Sequence, residues 1–116
     1  MAAEVLLALL EVGAVLWVEA GRLRFRAPEG AVGEALRGRA GACRPALVAL
    51  VEAGAVLSPD LAGWPEEARE SFEERAGICE FEGGLPRAEA EVEAERCFRV
   101  EHARAFLARA GMGGAP

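Results

Sequence analysis

Arg22-Leu23-Arg24-Phe25-Arg26-Ala27 alternates polar and apolar side chains at every step. Successive side chains of an extended strand point to opposite faces, so this period puts Leu23, Phe25 and Ala27 on one face and three arginines on the other. Just upstream, Val15-Leu16-Trp17-Val18 is a β-prone apolar run, and Ala20-Gly21 between the two stretches supplies a turn, because glycine tolerates positive φ. Residues 15–27 therefore read as a β-hairpin. Pro28 ends the second strand, and Pro28-Glu29-Gly30 makes a further turn.

The remainder reads as helix. In residues 2–12, Leu6, Leu7, Leu10 and Ala14 follow a near-helical stripe, with Gly13 as the C-terminal cap. Two short helices are expected near 32–41 and 44–53. Gly38 and Gly41 weaken the first; Pro45 suits the first turn of the second, whose core face is Leu47, Val48, Leu50 and Val51. Ser58-Pro59-Asp60 and Gly63-Trp64-Pro65 are turn signals, which makes 55–64 a connector, with Trp64 stapling it to the helical half of the chain. Residues 65–82 read as a helix with Ala68, Phe72, Arg75 or Ala76, and Cys79 on one face, widened by Ile78 and Phe81. Gly83-Gly84 breaks it, and Pro86 starts a last helix reaching about Ala110. There Ala88, Val92, Ala94, Phe98, Phe106 and Leu107 are placed to face the partner helix. So short a loop implies an antiparallel αα-hairpin over 65–110, and residues 111–116 are expected to fray. The expected class is α+β: an αββαα unit over 1–54, then the helical hairpin.

Bulk properties narrow the function. The 116 residues suit one domain, or one small domain with a helical extension, and 53% hydrophobic with 28% charged residues is a globular composition. No apolar run is long enough to span a bilayer, and the N-terminus lacks a basic region ahead of its apolar stretch, which leaves the cytoplasm as the default location. All 13 basic residues are arginine. Residues 1–57 carry six Arg and six Glu, whereas residues 58–116 hold the whole net charge of −6. That balance argues against direct affinity for a nucleic-acid backbone.

Nothing in the sequence assembles a catalytic set. Cys43, Cys79 and Cys97 have no metal-ligand spacing. His102 stands five residues from Cys97, on a different helical face, and reads as a surface histidine. Neither Ser58 nor Ser71 lies in a nucleophile elbow, and neither glycine-rich stretch opens a phosphate loop. Glu89, Glu91, Glu93 and Glu95 spread around a solvated helix, with Glu91–Arg96 and Glu95–Arg99 as neighbours. The expectation is a non-enzymatic protein with no catalytic residue, no cofactor and no metal ligand.

Arg22, Arg24 and Arg26 stand above this background. Such a row can simply protect a sheet edge from aggregation. It can also form a recognition edge on which an extended peptide adds as a strand, with the arginines selecting an acidic one. Phe25 and Trp17 join them as candidate partner-binding residues, although Trp17 also fits the core.

The segment from Leu6 to about Val51 resembles the TubC-type N-terminal docking domain. The likeness rests on the apolar first helix, on Trp17, Leu23, Ala27, Pro28 and Gly30 around the hairpin, and on Leu36, Arg39 and the Leu47–Leu50 helix. It implies an αββαα fold whose hairpin receives the acidic tail of a partner protein, with Arg22, Arg24 and Arg26 as the docking strand, and a capacity to dimerise. Phe72–Glu91, containing Glu74-Arg75-Ala76-Gly77-Ile78 and Gly83-Gly84-Leu85-Pro86-Arg87, resembles a segment recurring in uncharacterised bacterial proteins associated with mobile elements and replication genes. That second likeness implies an alternative: an accessory protein of a plasmid, phage or integrated element acting on replication or nucleic-acid machinery, where the acidic second half would suit an inhibitor.

Overall fold

The computed structural model describes residues 1–111. In chain order the elements are α1 (Ala2–Glu11), β1 (Val15–Glu19), β2 (Arg22–Arg26), α2 (Glu34–Ala42), α3 (Arg44–Glu52), a 3-10 turn at Leu61–Gly63, α4 (Glu66–Phe81) and α5 (Arg87–Arg109). This is an α+β fold with one two-stranded antiparallel sheet and a C-terminal helical region. Beyond Gly111, the expected frayed tail lies outside the described residues.

Alanine, leucine and glutamate, the residues that lose least on entering a helix, build α1. It buries Val5, Leu6, Leu9 and Leu10, a stripe rotated from the Leu6–Leu7–Leu10 expectation, and Leu7 stays half-buried. The Gly13 N–H bonds the Leu10 carbonyl and the Ala14 N–H bonds that of Leu9, both at 3.0 Å. This Schellman closure turns the chain so that Ala14 and Leu16 enter the core as β1 begins. The same closure ends α3, from Gly54 to Val51 and from Ala55 to Leu50.

The strands pair Leu16 with Phe25 and Val18 with Leu23 on one face. The other face pairs Val15 with Arg26, Trp17 with Arg24 and Glu19 with Arg22. Ala20 and Gly21 both have positive φ, 53° and 78°, the mirror-image turn whose twist matches the strands it joins.

Two clusters make the core. The larger gathers Leu6, Leu9, Leu10, Leu16, Leu47 and Leu50 from α1, β1 and α3, and is completed by Val100, Ala103 and Leu107 from α5. The smaller holds Leu57, Trp64, Phe72, Ala76 and Ala94. Thus α5 belongs to both, its C-terminal half sealing the first core and its N-terminal half packing on α4. His102 Nε2 donates to the Gly54 carbonyl at 2.9 Å, and Arg104 pairs with Glu11 at 2.6 Å, adding polar ties between α5 and the N-terminal half.

The connector is itself packed. Trp64 is buried edge-on against Phe72, and its indole N–H donates to the Ser58 carbonyl at 2.9 Å. Arg99 is only 3% exposed. It donates to the carbonyls of Leu57, Ser58 and Pro59 at 3.3, 3.0 and 3.2 Å, and to Glu95 at 2.9 Å. Burial lowers its pKa from the ordinary value, and the Glu95 hydrogen bond opposes that shift. Glu95–Arg99 is therefore not the solvated pair expected from the sequence, because the connector covers this turn of α5. Glu91 pairs with Arg87 rather than Arg96, which takes Glu93.

The α4–α5 seam also differs from expectation. Phe72 and Ala76 cluster with Ala94, and Ala90 one turn earlier is fully buried; these small alanines let two helices approach closely. Ala88 and Val92 lie two positions from Ala90 and Ala94, about 200° around the helix, and face outward. Val92 is 67% exposed, and Ile78 and Phe81 on α4 are 49% and 83% exposed. A Cβ on Gly83 would stand 2.6 Å from the Cys79 carbonyl oxygen, and Gly84 has φ +70°, so the break between the helices requires both glycines.

Candidate docking groove

The outer edge of β2 is open. Among the described residues β2 pairs with β1 alone, so its second row of backbone N–H and C=O groups has no strand partner. A groove of about 530 Å³ runs beside it. Five consecutive residues, Gly21 to Phe25, line this groove, and residues of both parities on one wall mean that the strand presents its edge there.

Across from β2, α2 contributes Arg37, Ala40 and Gly41, and α3 contributes Arg44 and Val48. The floor is apolar: Leu9, Leu16, Leu23 and Val32, with Phe25 39% exposed above it. Why a groove forms is visible in α2. Its sequence, Glu34-Ala-Leu-Arg-Gly-Arg-Ala-Gly-Ala42, buries no side chain and offers glycine and alanine where a large residue would close the gap.

Charge distinguishes this groove. Arg22, Arg24, Arg37 and Arg44 line it, and among the described residues no carboxylate does. None of the four makes an ion pair among the described residues. The Arg37 guanidinium lies 5.7 Å from the centre of the Phe25 ring, a cation–π contact that holds both at the rim.

The candidates from the sequence divide. Arg22, Arg24 and Phe25 come together in the groove. Trp17 and Arg26 lie apart from it: Trp17 is half-buried on the outer hairpin face, with the Arg26 guanidinium 5.9 Å from its ring. Arg26 reaches the connector, donating to the Pro59 carbonyl at 3.1 Å. Arg37 and Arg44 do not stand out in the sequence. Their one signal is the absence of any acidic residue between Arg37 and Arg44, and only the fold turns that stretch toward β2.

A second cavity, about 420 Å³, separates Leu10 and Val15 from Val92 on α5. Its arginines are already engaged: Arg26 with Pro59, Arg96 with Glu93 and Arg99 with Glu95. It therefore lacks the free positive charge of the groove. Cys97 lies close by, and burial raises its thiol pKa while Arg96 opposes the shift. Among the described residues, no group of three or more His, Cys, Asp or Glu side chains is placed to hold a metal ion, and no helix is long and apolar enough to cross a membrane.

No family model matches the chain, and no curated protein or solved structure shows significant similarity to it. The functional reading rests on the geometry of the groove.

Proposed function

We propose that this protein is a docking module, a binding rather than a catalytic protein, whose groove beside β2 takes an extended, acidic and partly apolar segment of a partner protein. The observation that carries the reading is the combination of an unpaired strand edge, an apolar floor and four arginines without a carboxylate among them. A segment adding along β2 would satisfy the free backbone groups. Alternate side chains would enter the floor, and acidic ones would meet Arg22, Arg24, Arg37 and Arg44 in charge-assisted hydrogen bonds. The likeness of residues 6–51 to TubC-type docking domains supports the same use of the hairpin.

The test compares two synthetic peptides with the same apolar residues, one carrying alternating glutamates and one carrying glutamines. The acidic peptide is expected to bind at least about tenfold more tightly at low salt. Arg24→Glu with Arg37→Glu is expected to remove that preference while circular dichroism stays native. Equal binding of both peptides, or an acidic preference that survives the charge reversal, would refute the proposal.

A further inference from the structure

The exposed apolar residues of the helical hairpin have a counterpart elsewhere in the same molecule. Phe81, 83% exposed, is the most exposed large hydrophobic side chain among the described residues. Ile78, 49% exposed, stands one turn before it on α4. Glu74 and Glu82 flank this pair at helical spacing and are themselves exposed. The basic residue of the tip, Arg87, is already shared by Glu73, Glu80 and Glu91 at 2.7, 3.3 and 2.9 Å. The tip is thus a convex apolar knob in an acidic surround.

The groove is the reverse: concave, apolar at its floor and rimmed by four arginines that make no ion pair among the described residues. No residue of α4 or α5 lines it, so the chain does not fill the groove with its own tip. Shape and charge are complementary between the two surfaces, and both are present at equal concentration in any solution of the protein.

We infer that a second copy of this chain docks its α4–α5 tip into the groove, with Phe81 over the apolar floor and Glu74 and Glu82 against Arg24 and Arg44. This rests on the reading of the groove as a site for acidic apolar chemistry. The contact is heterologous, joining different patches on the two copies, so it builds rings or open chains rather than an isologous dimer. An acidic partner segment and the tip then compete for one site, and partner binding disassembles the homo-oligomer.

Sedimentation velocity of the full chain across a wide concentration range at low salt is the test. The wild type is expected to show a weight-average sedimentation coefficient that rises with concentration and falls with added salt. Phe81→Asp, a change at an exposed position that leaves the core intact, is expected to weaken association at least about tenfold. Arg24→Glu/Arg44→Glu and Glu74→Arg/Glu82→Arg are each expected to be monomeric alone and to associate when mixed. A wild type that stays monomeric throughout, association indifferent to Phe81→Asp, or no recovery on mixing would overturn the inference. The acidic peptide of the preceding test separates the two readings: a monomeric wild type that binds it abolishes self-docking and leaves the docking module standing. A self-associating wild type whose oligomers the peptide does not disperse refutes competition at the groove.

Discussion

The leucine core of the N-terminal half and the alanine seam of the helical hairpin solve burial in opposite ways. Around Leu6, Leu10, Leu16 and Leu47 the branched side chains are bulky, and α1, the hairpin, α3 and the end of α5 wrap them from several sides. Where one wall, α2, buries no side chain and brings Ala40 and Gly41 beside Arg37, the wrapping leaves a concavity. Between α4 and α5 the contact is thin. Ala76, Ala90 and Ala94 bring the backbones close, and the larger Ile78, Phe81 and Val92 are left outside. A thick core short of one large side chain makes a groove; a thin core with surplus large side chains makes a knob. Both are apolar, and their charged borders have opposite signs.

The largest expected effect joins the two regions. Arg99→Ala removes the donor shared by three connector carbonyls and leaves Glu95 unpaired. Removing one partner of a buried charged network costs about 3–5 kcal/mol, read as a large fall in the urea midpoint. A loss below about 1 kcal/mol would show the connector to be held by Trp64, Leu57 and the Arg26–Pro59 hydrogen bond instead.

Leu107→Ala is expected to cost about 3 kcal/mol, the usual range for deleting a fully buried leucine side chain. Because Leu107 sits in the N-terminal core but on α5, the near-ultraviolet signal of Trp64, read in a Trp17→Phe background, and the amide signals of the hairpin should disappear in a single transition. Separate transitions would break the comparison, turning two faces of one core system into two independent units.

Smaller still is Ala20→Asn. Ala20 holds φ 53°, strained for a side chain with a Cβ, and Asn-Gly is the preferred pair for this turn. A gain of up to about 1 kcal/mol is expected in chemical denaturation, from relief of the left-handed strain at this position. An unchanged or lower midpoint would mean that the turn conformation is not the one described.

The least effect concerns α5 beside the second cavity. A hydrogen bond from Arg96 lowers the Glu93 pKa. A carboxylate whose folded pKa lies below its unfolded one contributes stability above the ordinary carboxylate range and loses it as pH falls through the folded value. Glu93→Gln is therefore expected to flatten the acid limb of the stability profile slightly. In the same region the raised Cys97 pKa predicts slower alkylation at neutral pH than in the unfolded chain.

Several of these features are legible in the sequence. Period-two alternation with Ala-Gly between the strands locates the hairpin, and glycines 13, 83 and 84 locate helix ends, because these are local signals of backbone geometry. Choices of helical face are not legible in the same way. Leu7 against Val5, and Val92 against Ala90, differ by rotations that local composition cannot fix when alanine is abundant on every side. Arg99 is hidden for another reason: its burial depends on the 57–59 carbonyls, about 40 residues away in sequence. Of the groove, Arg22, Arg24 and Phe25 are visible as a strand pattern, whereas Arg37 and Arg44 become part of it only through the packing of α2 and α3 against β2.

If an acidic segment docks in the groove beside β2, the contact registers on the backbone amides that line it. Titration of uniformly 15N-labelled protein with the glutamate-bearing peptide, followed by amide chemical shifts, tests that docking most directly. The largest shifts are expected in Arg22–Phe25, Arg37–Gly41 and Arg44–Val48, with slowed hydrogen exchange of the β2 edge amides once the peptide pairs with them. Shifts confined to α4 and α5, or binding that leaves the β2 amides unchanged, would contradict it.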